Sequence, residues 1–86
     1  HQYDCLILDP PRRGAKHLNQ WVQWASPQKI IYVSCNHQTM MRDLRPILNS
    51  YVPTEVFLVD LFPSTRHFET IIVLEKALRE SLPKVK

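Results

Sequence analysis

Three short polar stretches hold residue types able to do chemistry: residues 9–14 (Asp-Pro-Pro-Arg-Arg-Gly), 34–37 (Ser-Cys-Asn-His) and 62–69 (Phe-Pro-Ser-Thr-Arg-His-Phe-Glu). Cys35 follows a β-branched run and precedes a polar turn into a helical stretch. The thiolate is the nucleophilic form of cysteine, and a helix N-terminus favours it. A free cysteine is more often a small buried core residue, so position alone leaves both readings open. Cys5, inside an apolar run, reads as core. Glu69 opens another apolar run, where a carboxylate is either a general base or an ordinary strand-end charge. Asp9 precedes two prolines, which stiffen the chain and remove two backbone donors. Such a loop can hold a flat ligand, or Asp9 simply ends a strand and satisfies a turn. Arg12 and Arg13 are solvated charges, or one of them pairs with a carboxylate in a site. A zinc site from Cys35, His37 and His67 matches no standard ligand spacing, and no metal is expected.

Regular elements must position these residues. Four runs carry strand signals: residues 3–9, 29–34, 55–61 and 70–75. They are apolar on both parities, which predicts strands covered on both faces. Residues 15–26 place Leu18, Trp21, Val22 and Ala25 at helical spacing, and Pro27 ends the helix. Residues 39–50 do the same with Met40, Leu44, Ile47 and Leu48, with Asn36 or the 38–39 pair as cap and Pro46 as a kink. A last helical turn is expected over 77–82. The order β-α-β-α-β-β predicts an α/β fold with parallel strands and crossover helices. The last two strands are separated by too few residues for a crossover and should pair antiparallel. Ligands of such sheets bind beyond the carboxyl ends of the strands, where all three polar stretches fall.

Composition narrows the class. The chain has 86 residues, 44% of them hydrophobic, one glycine, two cysteines and a net charge of +3. A domain of this size buries only about 60% of its unfolded surface and is marginal alone. Two cysteines make neither a disulfide scaffold nor a four-ligand zinc site, and unbridged thiols suit a reducing cytoplasm. No apolar run reaches the roughly 20 residues that span a bilayer. The mild basicity is compatible with RNA but weak evidence for it. With Gly14 as the one glycine, no glycine-rich phosphate loop is present. The chain opens on an apolar run without a lead-in and ends in a polar basic tail, which reads as the C-terminal part of something longer.

Taken together, the first stretch, Tyr32-Val33-Ser34-Cys35-Asn36, Arg42-Asp43-Leu44 and residues 60–69 resemble the last half of the RNA uracil-5 methyltransferases, in order, over nearly the whole chain. These enzymes use S-adenosylmethionine to make 5-methyluridine in tRNA and ribosomal RNA. The resemblance implies a Rossmann-like methyltransferase sheet with its final strand antiparallel. It implies that Cys35 adds to C6 of the uracil and that Glu69 removes the C5 proton. Asp9 would line the pocket near cofactor and base. Pro10, Arg12, Asn36 and His67 would shape the pocket, with Arg12 a partner for a carboxylate.

The chain departs from the family where His37 stands for the usual proline, Met40-Met41 for Leu-Ala, and Phe68 for Val or Met. None of these changes removes a reacting group. The cofactor-binding front half is absent from residues 1–86, so the piece alone is expected to be inactive, to bind S-adenosylmethionine poorly, and to self-associate through an exposed sheet edge. Other readings differ in class. RNA 5-methylcytosine methyltransferases carry a cysteine after the first proline, where this chain has Pro11. Amino-group methyltransferases need an aromatic residue where Arg12 stands. A non-catalytic RNA-binding domain would need a stacking platform, whereas most aromatics here read as core.

Overall fold

The structure is a computed structural model, and it describes residues 4–60 and 68–77. The elements run β1 (Cys5–Leu8), α1 (Leu18–Ala25), β2 (Lys29–Ser34), α2 (His37–Leu44), a 3-10 turn (Arg45–Ile47), β3 (Tyr51–Asp60) and β4 (Phe68–Lys76). They form one four-stranded mixed sheet of order β1-β2-β4-β3. β1 and β2 are parallel, and β4 runs antiparallel to both β2 and β3. The predicted α/β order and the antiparallel last strand are therefore as expected. The turn expected over 77–82 falls almost wholly outside the described residues.

The core lies on one face of the sheet. Leu18 and Val22 of α1 and Met40 and Leu44 of α2 pack with Ile30 and Tyr32 of β2 and Ile72 and Leu74 of β4. Leu6 and Leu8 of β1 pack at its margin. Side chains alternate across a strand, so Cys5, Ile7, Ile31, Val33, Ile71 and Val73 belong to the opposite face. No described helix covers that face. Ile7 is 68% exposed and Cys5 is exposed, which corrects the expectation of a buried Cys5 and of strands covered on both sides.

Aromatic placement also differs from expectation. Tyr32 and Tyr51 are buried, but Trp21, Trp24, Phe57 and Phe68 are exposed. The helical spacing that includes Trp21 is sound, yet the helix turns Leu18, Val22 and Ala25 to the sheet and leaves Trp21 at the edge of the contact. Pro46 lies in a separate 3-10 turn, Arg45–Ile47, because a proline inside an α-helix clashes with the preceding turn. β3 starts at Tyr51, four residues earlier than expected, and carries Pro53. It is an edge strand, where proline is tolerated, and its register with β4 shifts between Pro53 and Glu55. No helix among the described residues is long and apolar enough to cross a membrane.

Candidate active site

The nucleophile turn is built by its own side chains. The Ser34 hydroxyl, buried at the end of β2, accepts from the Asn36 amide at 2.9 Å and donates to the Asn36 carbonyl at 2.8 Å. This bond pair bends the chain around Cys35 and leaves it exposed. Asn36 is the cap of α2, as expected. Its Oδ1 accepts from the amides of Gln38 at 3.0 Å and Thr39 at 3.4 Å, satisfying donors that the first helical turn leaves free. The helix consequently starts at His37, two residues before the expected position. Cys35 stands immediately outside this N-terminus.

The same helix fastens the Asp-Pro-Pro-Arg-Arg-Gly loop. Asn36 Nδ2 and Thr39 Oγ1 both donate to the Arg12 carbonyl, at 3.2 and 2.9 Å. Arg42 Nη2 donates to the Arg13 carbonyl at 2.7 Å. One turn on, the buried Asp43 carboxylate accepts from the Ala15 amide at 2.6 Å and the Tyr32 hydroxyl at 2.7 Å through Oδ2. Its Oδ1 accepts from Arg42 Nη2 at 2.9 Å and Nε at 3.1 Å. Burial by itself would raise the Asp43 carboxyl, but the Ala15 amide, Tyr32 hydroxyl and Arg42 guanidinium outweigh it and hold the group below the usual carboxylate range. Burial and then the hydrogen bond to Asp43 push the Tyr32 phenol upward.

Gly14 closes the loop with φ +86°, its amide donating to the Pro11 carbonyl at 2.8 Å. A Cβ there would stand 2.5 Å from Asp43 Oδ2 and 2.7 Å from Arg42 Nη2. The one glycine thus serves both a left-handed turn and the approach of the loop to its carboxylate anchor.

The base candidate lies across the sheet. Ser34 of β2 pairs with Thr70 of β4, and this is the last pair of the ladder. Cys35 and Glu69 are the next residues outward on the two strands. Cys35 lies in the turn just past β2, whereas Glu69 is on β4 and, by alternation from the buried Thr70, belongs to the sheet face away from the helices. Asp9 directly follows Leu8, the last residue of β1, whose ladder partner is Tyr32. Asp9 is exposed, and Pro10 and Glu69 are half-buried.

A cleft of about 290 Å³ is lined by Arg12, Cys35, Asn36, His37, Gln38 and Phe68. The structure brings Cys35, Asn36 and Arg12 together there, and Asp9, Pro10 and Glu69 do not line it. His67 lies outside the described residues. Arg12 is held in the cleft through its backbone. The one ion pair among the described residues is Arg42–Asp43, and Arg12 is engaged through its backbone carbonyl. Arg42, Asp43, Tyr32 and Thr39 are the positioning residues that received no role from sequence. A signal was present: Asp43 interrupts the buried stripe of Met40, Leu44 and Ile47, and a charge at such a position needs partners.

A family model described as tRNA (Uracil-5-)-methyltransferase matches residues 1–77. The 23S rRNA (uracil(1939)-C(5))-methyltransferase of Shewanella frigidimarina is 45% identical over 73 residues, 84% of this chain and 16% of that enzyme. The 23S rRNA (uracil(747)-C(5))-methyltransferase of Pyrococcus furiosus is 41% identical over 75 residues, 86% of this chain and 18% of that enzyme. Among solved structures, the tRNA (uracil-54, C5)-methyltransferase of Pyrococcus abyssi in complex with S-adenosyl-L-homocysteine superposes with a TM-score of 0.70 at 38% identity. That match covers 83% of this chain and 18% of the other. The chain therefore spans less than a fifth of the relatives it matches, and within that span it belongs to the tRNA (uracil-5-)-methyltransferase family.

Proposed function

We propose that these residues form the nucleophile-and-base part of an S-adenosylmethionine-dependent RNA uracil-C5 methyltransferase acting on tRNA or ribosomal RNA. One observation carries the reading. The β2–β4 ladder ends at Ser34–Thr70, so Cys35 and Glu69 are each one residue from that last pair, at the same end of the sheet. A pyrimidine placed between them presents C6 to one side chain and the C5 proton to the other.

Uracil C5 is a poor nucleophile. Addition of the Cys35 thiolate to C6 moves electron density to C5 and the O4 carbonyl, so that C5 becomes enolate-like. S-adenosylmethionine, as second substrate, supplies an electrophilic methyl group on a sulfonium. Glu69 then takes the C5 proton as general base, the double bond re-forms, and the thiolate leaves C6. Every bond made to Cys35 is thus broken in the same cycle, and the net exchange is a methyl for a proton.

This chain's residues suit one side of the adenosyl substrate. A sulfonium nucleoside carries no phosphate, so the lack of a glycine-rich cradle is no obstacle to it. Asp9, exposed at the end of β1, offers a carboxylate, and the Pro10-Pro11 segment after it offers no competing amide donors. The other contacts to that substrate come from residues outside these 86, and the chain alone is inactive in this proposal. The setting is the cytoplasm, where thiols stay reduced. The free edge of β1 also makes self-association of the isolated chain an expected outcome, which light scattering at high concentration checks.

RNA carrying 5-fluorouridine tests the chemistry, because fluorine at C5 cannot leave as a proton and the adduct accumulates. The intact protein containing these residues should give a band stable to denaturation that is lost in Cys35→Ala. Persistence of that band in Cys35→Ala would remove the nucleophile assignment. Glu69→Gln should transfer methyl to ordinary RNA yet release it slowly, and fast release would count against Glu69 as base.

A further inference from the structure

The geometry points to His37 as a positioning residue that ties the nucleophile turn to the strand bearing the base. The inference rests on the roles of Cys35 and Glu69 proposed above. His37 is the first residue of α2, two positions after Cys35. Its Nε2 makes a short hydrogen bond to Thr70 Oγ1. Thr70 is buried, directly follows Glu69, and is the ladder partner of Ser34, whose hydroxyl shapes the Cys35 turn.

The bond therefore joins the two chain segments whose neighbours react. Cys35 is two residues before His37, and Glu69 directly precedes Thr70. The backbone ladder ends at Ser34–Thr70, and no ladder pair lies beyond it. At that end the His37–Thr70 bond adds a side-chain hydrogen bond between the turn and β4. A proline at position 37 would stiffen the turn locally but offers no donor or acceptor to β4. This chain thus uses a cross-strand tie at a position where a ring would rigidify one segment only.

The tie matters at the step that needs both residues at once. Addition to C6 needs Cys35 and the pyrimidine, whereas proton removal needs Glu69 aligned to a base already bonded to Cys35. Small misplacement of reacting groups is costly at such a step.

The test uses the intact protein containing these residues and two single-turnover readouts. One is the rate of adduct trapping on 5-fluorouridine RNA, and the other is tritium release from C5 of labelled uridine RNA. In His37→Ala and in Thr70→Val, tritium release should slow by about 10-fold while trapping stays within about 3-fold. The double variant should be no slower than the slower single, because both remove one bond. His37→Gln, which can place an amide near the Nε2 position, should restore release to within about 3-fold of the parent. Equal losses in both readouts, additive effects in the double variant, or unchanged release would each overturn the proposal. If Cys35→Ala itself still traps RNA, the underlying chemistry fails and the tie fails with it, a result visible in a different variant. Should the substitutions unfold the protein, nitrogen-15 shifts of the His37 ring in the parent decide the matter. A ring rotating freely, with Nε2 unbonded, would refute the tie.

Discussion

Replacing Asp43 by Asn perturbs the anchor that holds the first polar loop against α2. The amide oxygen can take the place of Oδ2 and still accept from Ala15 and Tyr32. Its NH2 group then faces Arg42 Nε and Nη2, donor against donor. Hydrogen bonds to a charged acceptor contribute about 1.5–3 kcal/mol and neutral ones about 1 kcal/mol, so each of the two retained bonds loses roughly 1 kcal/mol. The Arg42 side chain is 48% exposed, so its ion pair is screened and adds no more than about 1 kcal/mol. The expected loss is about 2–3 kcal/mol, or roughly 10–20 °C in melting temperature for a domain of this size. Urea unfolding followed by far-UV circular dichroism at neutral pH measures it. Tyr32→Phe should cost about 1 kcal/mol, and the double variant should cost less than the sum because one bond is shared. The pH dependence has a definite sign. The Asp43 carboxyl is held below its ordinary value, so its contribution is complete above the unfolded-state value and disappears as pH falls through the folded one. The gap between parent and Asp43→Asn should hold from neutral pH down to about 4 and close below that. A loss under about 0.5 kcal/mol, or a gap that widens on acidification, would refute the role of Asp43 as anchor.

Two further perturbations probe the same frame. Gly14→Ala must adopt a left-handed backbone and push a Cβ against Asp43, so its urea midpoint should drop by an amount equivalent to more than about 2 kcal/mol. Asn36→Ala removes both the α2 cap and the tie to the Arg12 carbonyl, and about 1–2 kcal/mol should be lost, with the Gln38 and Thr39 amides exchanging faster with deuterated water.

Local chemistry made some of this readable from sequence and left the rest hidden. β2 matches its expected limits, Lys29–Ser34, because Pro27 and the polar turn at Ser34 punctuate it on both sides. The order of the elements and the direction of the last strand followed from connection lengths. The start of β3 did not, because Pro53 argues against a strand except at an edge, and edge position is a property of the assembled sheet. The exposure of Trp21 and Cys5 was hidden for a related reason: periodicity says which residues share a face, but not which face is covered. At the site, Cys35, Asn36 and Arg12 line one cleft. The hydrogen bonds that hold them come from Thr39, Arg42, Asp43 and Tyr32, contributed by helix and strand positions that motif reading treats as scaffold.

The most direct measurement of the central claim is the mass of the trapped peptide. The intact protein is incubated with 5-fluorouridine RNA and S-adenosylmethionine, digested with nuclease and trypsin, and analysed by tandem mass spectrometry. The peptide of residues 30–42, which contains Cys35, should carry a methylated fluoropyrimidine nucleotide on its sulfur. Modification of the tryptic peptide that contains Cys5 and ends at Arg12, or the absence of any nucleotide on residues 30–42, would contradict it.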